Sequence, residues 1–317
     1  MRPTKFSTPG CLALLPLALL LAQTAACSPS HYVLKSAADA LSDTSGGSSA
    51  FARDDDPELV RDAVPFALET MESLGLKLPD HVGIRVAMAA GFTQYGYAFV
   101  QQPLDLSGVD QSSEAGKLGL RRATRFYLRA RDHGLDAMKI AHGVSLEQLR
   151  AGDAERQKAL ELLTKEEVPL LYWTLVPWAA AIAINKRDLE LVGDVPVIAA
   201  LLDRALSLDE TYDAGALHEF SITFDGARPT GTTPEKQKVH FERARALNHG
   251  NRISALVTYA ESVLGPAQDK KGFEALLNEA TAFDVDQAKA RDNRLANVLA
   301  QRRAKFLLAH ESDVFSD

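Results

Sequence analysis

Residues 196–250 read PVIAALLDRALSLDETYDAGALHEFSITFDGARPTGTTPEKQKVHFERARALNHG, and one phrase occurs in this stretch twice. LLDRALSLD spans Leu201–Asp209 and HFERARALN spans His240–Asn248; LLNEATAFD, centred on Ala280, and FYLRARDHG, centred on Ala130, repeat it outside. Each copy reads as a helix end, with a small Ala, apolar residues one turn either side, and in three copies a closing Asp or Asn that suits a turn. A small residue lets a partner helix approach closely, and apolar flanks at i−3 and i+3 supply the buried stripe. The flanks are Tyr127 and His133, Leu202 and Leu208, Phe241 and Leu247, and Leu277 and Phe283, so only His133 breaks the apolar column. The Ala-to-Ala spacings are 75, 39 and 36 residues. Units of roughly 34 residues with two helices each are the tetratricopeptide signature, and longer ones carry loop insertions. The pattern predicts an all-α body, a TPR-like solenoid or bundle of antiparallel helix pairs over residues 57–317. A non-repetitive helical bundle is the plainer alternative.

The chain has 317 residues, 46% apolar and 24% charged, enough to bury a sizeable core. Its net charge is −7, with no basic clustering of the kind nucleic acid or an anionic bilayer needs. Both cysteines, Cys11 and Cys27, precede the body, which therefore lacks a thiol nucleophile, a disulfide and a thiolate metal site.

The N-terminus reads as an export segment. Arg2 and Lys5 precede the apolar run CLALLPLALLLA at 11–22, which is too short to span a bilayer. Gln-Thr-Ala-Ala-Cys at 23–27 resembles a bacterial lipobox, which would make 1–26 a signal peptide and Cys27 the lipidated residue; Thr24 stands where Leu is usual. Cleavage after Ala26 as an ordinary secreted protein also fits the small-x-small rule. With Ser28 following, a lipid-anchored chain is expected at the outer membrane, facing the periplasm. Residues 27–56 read as a tether, SDTSGGSSA at 42–50 being its flexible part, with room for a short helix over 31–41.

In the body, Asp56-Pro57-Glu58 is a helix start. Pro65 should kink that helix, which Gly75 ends, and Pro79-Asp80 should open the next. Residues 103–116 read as a loop. The helix that follows is expected to break near Gly134, and Thr164 with Glu167 fits a capping box. VPLLYWTLVPWAAAIAIN at 168–185 is apolar nearly all round, which means a central buried helix or a membrane span; Pro169, Pro177 and the flanking charges favour the buried reading. Ser221–Phe224 reads as a helix end, Thr233-Pro234 as a restart, Gln268–Phe283 as the last repeat unit, and 286–310 as a long final helix.

No catalytic or metal motif emerges and no cofactor is implied. His218-Glu219 beside Tyr212 could be an acid–base or metal grouping; the plainer reading is a hydrogen-bonded His and a solvated Glu. His240 and His249, nine apart, would not share a face. The Arg and Asp of RARDHG at 129–134 suit a structural ion pair. Phe92, Tyr95, Phe99, Trp173, Trp178 and Phe220 stand out as candidate ligand-lining aromatics, as they could line a groove or channel for an apolar ligand; core packing is the competing role.

Several phrases carry a family resemblance: FTQYGYAFV at 92–100, RARDHG at 129–134, YWTLVPWAAAIAINKRD at 172–188, LDETYDAGALHEF at 208–220, HFERARALNHG at 240–250, QDKKGFEALL at 268–277 and RLANVLAQRRAKFLL at 294–308. In these the chain resembles the T component associated with periplasmic TRAP transporters (TatT), a group of bacterial lipoproteins. Departures are Thr24, where Leu is usual, and Gly96, where Ala is expected. The resemblance implies cryptic tetratricopeptide-like repeats, a homotrimer and an apolar pore or cleft in each protomer. It further implies a solute-binding protein as partner, a small hydrophobic ligand, and no catalytic residues. The alternative function is a periplasmic protein-interaction scaffold without a ligand channel.

Overall fold

The computed structural model describes residues 29–41, 50–228 and 231–315; Cys27, the signal segment and the Gly/Ser run at 42–49 lie outside the described residues. The described residues contain helices and turns and no strand. The helices are α1 (Pro29–Leu41), α2 (Pro57–Lys77), α3 (Val82–Tyr95), α4 (Gln102–Leu106), α5 (Glu114–His142), α6 (Leu146–Arg150), α7 (Asp153–Glu161) and α8 (Val168–Ile184). They continue with α9 (Leu189–Val192), α10 (Val195–Asp209), α11 (Tyr212–Phe224), α12 (Pro234–Leu247), α13 (Ser254–Tyr259), α14 (Lys270–Thr281) and α15 (Arg294–Ala309). Two segments are wound as π-helix: Gly96–Gln101 joins α3 to α4, and Ala260–Leu264 extends α13.

The helix starts follow local chemistry. The Asp56 carboxylate accepts the amides of Glu58 and Leu59 and caps α2, with Pro57 in the first turn. Removing that cap by Asp56→Ala should cost about 1 kcal/mol, read as a lowered denaturation midpoint with an unchanged slope. Thr164 and Glu167 form the expected capping box, and Thr233 caps α12. Helix α2 runs through Pro65 and past Gly75 to Lys77. Helix α3 opens at Val82, one turn later than Pro79 suggested, because the His81 ring accepts the Ile84 amide. The expected loop at 103–116 is shorter, since α4 occupies its start.

Helix α5 does not break at Gly134. It runs 29 residues and stops at Gly143, whose φ of 68° is the left-handed cap conformation. Gly134 serves tertiary packing instead. A Cβ there would lie 2.1 Å from Thr174 Oγ1, so its absence lets α5 and α8 touch backbone to side chain. The phrase around Ala130 is accordingly mid-helix, whereas the copies around Ala205 and Ala244 do end helices. All four small residues, Ala130, Ala205, Ala244 and Ala280, are buried, as are the preceding flanks Tyr127, Leu202, Phe241 and Leu277. The final segment is a 3₁₀ stretch, Ala288–Asn293, leading into α15.

The apolar helix α8 is the axis. With the turn before it, Lys165–Ile184, it is long and apolar enough to cross a bilayer by composition alone, yet here it packs against α3, α5, α10 and α11. A central core forms around it from Trp178, Leu171, Leu175, Ile198 and Leu201; a second core joins α1, α2, α3 and α5 through Ile84, Met88, Phe92 and Tyr127. A third joins α11–α15 through Phe241, Phe273 and Leu277.

The first and last helices of the body meet. The turn at Phe51–Arg53 contacts both α15 and the 3₁₀ stretch before it, and α2 contacts α15. Ion pairs seal the junction: Arg53 Nε to Asp292 at 2.7 Å, Arg294 to Asp55 at 2.9 Å, and both Arg302 terminal nitrogens to Glu58 at 2.6 and 3.0 Å. Helix α1, expected as a short helix in the tether, packs on α2 and α3 with Ala38 fully buried. The succession of helices therefore closes on itself.

Candidate functional site

The inner face collects polar side chains from distant parts of the chain. Tyr97, on the first π-helical segment, is 50% exposed, yet its phenol is pushed up to about 12. Burial among protein atoms is the main cause, followed by the Glu261 carboxylate; Glu219 and Asp105 add to it and Arg303 opposes it. The residue is half exposed while its hydroxyl is closely surrounded by protein atoms, a partly open recess. The groups that act on it come from α4, α11, α15 and the second π-helical segment, so the recess is ringed by both halves of the chain. A wider π turn re-aims side chains and is often found at functional sites; here the two such segments supply Tyr97 and Glu261.

Around Tyr97, Arg303 forks onto Glu261 through Nε and Nη2, while its buried Nη1 has no hydrogen-bond partner in the protein. Asp105 accepts Gln111 Nε2 at 2.8 Å, and burial raises its carboxyl above the usual range, with Glu261 adding to the effect. Behind this layer Tyr127 donates to Gln101 Oε1 at 2.6 Å.

A second group continues the wall. Arg252 Nη1 donates to Asp213 Oδ2 at 3.0 Å and Nη2 donates to the Asp213 carbonyl; Nε is buried without a partner. Ser254 Oγ donates to Glu219 Oε2 at 2.9 Å. Burial raises the Glu219 carboxyl and Asp213 adds to it, while Arg252 and Ser254 oppose the shift. Burial also pushes the Tyr172 phenol well up, with Asp213 and Glu219 contributing. Its ring meets Trp173 edge-on at 4.8 Å and Tyr212 at 5.4 Å. Asp213 and Ala214 hold positive φ, and Gly215 turns at φ 92° with Ala244 Cα 3.1 Å from where a Cβ would stand. This bend presents Asp213 to Arg252 and lets α11 start close against α12.

The six aromatics singled out from the sequence divide. Trp173 is half-buried, packs against the central core and meets Tyr172 edge-on. Phe92 and Tyr95 are core: Phe92 stacks on Phe126 and His133 with the Arg129 guanidinium 4.3 Å above it, and Tyr95 meets Phe126 edge-on. Phe99 is half-buried against Tyr95, Trp178 is fully buried beside α8's neighbours, and Phe220 is half-buried and stacked on Phe224 at 5.2 Å. Sequence reading missed Tyr97, Glu261, Arg303 and Arg252. Of the pair it did flag, His218 is hydrogen-bonded as the plainer reading expected, but Glu219 is held in the recess by Ser254 and is not a solvated surface group. In RARDHG, Arg131 pairs with Asp132, while Arg129 reaches across to Glu72. Among the described residues no group of three or more His, Cys, Asp or Glu is arranged to hold a metal ion.

Tyr97 and Tyr172 thus share the Glu219 carboxylate as a neighbour, with Arg303 beside the first and Arg252 beside the second, so aromatic rings and ion pairs from both halves of the chain gather in one region. Comparison with known proteins gives the chain its place. It is 30% identical over 270 residues to an uncharacterised protein of Treponema pallidum (strain Nichols), an alignment covering 84% of this chain and 83% of that one. The profile of the TRAP transporter T-component matches residues 53–315, from the turn that closes the ring to the end of the last core. The chain belongs to the TRAP transporter T-component family.

Proposed function

We propose that this chain is an envelope lipoprotein, anchored through Cys27 at the outer membrane and facing the periplasm, that serves a TRAP transport system. It docks a periplasmic solute-binding protein and receives a small hydrophobic ligand in the recess. The stacked helix pairs read as tetratricopeptide-like units, and three copies of the chain assemble as a homotrimer. The carrying observation is that Glu219 acts on both Tyr97 and Tyr172, with Arg303 beside the first and Arg252 beside the second, so that aromatic and ionic groups from both halves of the chain come together. Family membership supplies the transport role.

The test is capture from envelope extract with the purified chain, followed by mass spectrometry of bound protein and of extracted small molecules. The expected result is a solute-binding protein together with an apolar compound. Tyr97→Asp, which puts a charge on the recess wall, should reduce the compound at least tenfold while the fold is kept. Capture of an unrelated partner with no small molecule would sink the reading.

A further inference from the structure

Two histidines away from the recess make a contact whose proton count can be derived. His218 on α11 and His240 on α12 approach Nδ1 to Nδ1 at 2.9 Å. On its far side, His218 Nε2 lies 3.2 Å from Glu210 Oε2; on the other far side, His240 Nε2 lies 3.4 Å from Asp225 Oδ2. The four groups form one chain, Glu210–His218–His240–Asp225, from the end of α10 through α11 and α12 to the turn after α11.

A carboxylate only accepts, so His218 Nε2 must carry hydrogen. Neutral His218 then has its lone pair on Nδ1, and the short contact requires His240 Nδ1 to donate. A neutral His240 donating from Nδ1 has a bare Nε2, facing the Asp225 carboxylate as acceptor against acceptor. One further proton, on His240 Nε2, converts that opposition into a charge-assisted bond and satisfies every link. A second further proton has only His218 Nδ1 to occupy, and there it would face the His240 N–H and break the central bond.

The surrounding charges agree. Arg243 pairs with Glu210; Arg228 pairs with Asp225 at 2.6 Å and with Asp203 at 2.9 Å. Three carboxylates thus face two guanidiniums. Lys236 acts on His240 from the same helix and opposes more positive charge, as do Arg228 on His240 and Arg243 on His218. Burial is the largest influence on both rings and works against each added proton, so both steps fall below the ordinary histidine value; Asp225 favours the one on His240.

We propose that His218 and His240 hold one added proton between them as a clamp joining α11 to α12, and that a second added proton opens it. The clamp sits one residue from Glu219, so its opening loosens the helix that carries one wall of the recess.

The experiment is long-range ¹H–¹⁵N spectroscopy of the histidine-labelled full chain from pH 8 to pH 4. Two steps are expected. His240 Nε2 protonates first, and His218 Nδ1 follows at a midpoint lower by about one unit or more, as coupled sites require. His240→Gln, which keeps a donor for His218 but cannot titrate, should leave a single step. Below the second midpoint, amide exchange over 216–224 and 235–247 should run at least tenfold faster in the parent chain than in the His240→Gln variant. One shared midpoint for both rings, or unchanged exchange, would overturn the clamp. Displacement of a ring proton by one equivalent of Zn²⁺ at neutral pH would overturn it in favour of a metal site.

Discussion

Trp178→Ala should lower the unfolding free energy by about 3–5 kcal/mol, the range seen when a large buried aromatic is truncated in a core that cannot collapse. Trp178 has no exposed surface and is the largest fully buried side chain among the described residues. It sits on α8, which is enclosed by α3, α5, α10 and α11, so no element can move to fill the void without unpacking another. Its indole Nε1–H is buried with no partner, a cost already carried by the native state. Trp178→Phe removes that orphan donor along with some volume, and should therefore cost much less than the alanine change, about 1–2 kcal/mol. Denaturant titration of the two variants measures the gap directly. The pair also separates two roles for this residue. A tryptophan facing a ligand cavity would cost little stability when truncated and would change ligand retention instead.

That distinction shows where sequence reading reaches and where it stops. Signals confined to four or five consecutive residues were legible. Asp56, Thr164 and Thr233 cap helices because a side chain and an amide two or three residues away suffice. The all-α class and the buried Ala column were legible for the same reason, since a helical stripe repeats every turn. Gly134 misled because glycine has two uses, and only the position of Thr174 in space shows that this one allows a close crossing and does not break the helix. Among the aromatics, Phe92 and Trp173 look alike on a helical stripe; that the first is fully buried and the second only half-buried is decided by neighbours far along the chain. The recess depends on pairs such as Arg303–Glu261 and on ring closure by Arg53–Asp292, whose partners lie 42 and 239 residues apart. The His218–His240 contact spans 22 residues and two helices, whereas counting along a single helix compared His240 only with His249. No periodicity encodes those separations, and nothing in the local sequence marks the π-helical turns that aim Tyr97 and Glu261 inward.

The chain should also lose about 3 kcal/mol of stability between pH 6.5 and pH 4 through His133 alone. This residue breaks the apolar column of the repeated phrase, and the structure explains how it is tolerated. Its ring is largely buried and stacked on Phe92; Arg85 Nη1 donates to Nδ1 at 3.4 Å, so hydrogen sits on Nε2, which faces Glu72 at 3.2 Å. Burial, with the Arg85 and Arg129 charges, lowers its value from 6.5 to about 4. The Glu72 carboxylate would favour the imidazolium, but Arg129 already forks onto it and takes up much of its charge. Below pH 6.5 the unfolded chain binds a proton at His133 that the folded chain refuses, so stability falls as pH drops and levels off once pH passes the folded value near 4. A difference of roughly 2.5 units at 1.36 kcal/mol each sets the size of the loss. Other groups titrate in the same window, so the measurement is a difference: His133→Gln keeps a neutral polar side chain between Arg85 and Glu72 and should flatten the profile by about that amount. Equal pH slopes for parent and variant between 6.5 and 4 would mean that His133 protonates in place and that Glu72 is free to receive it.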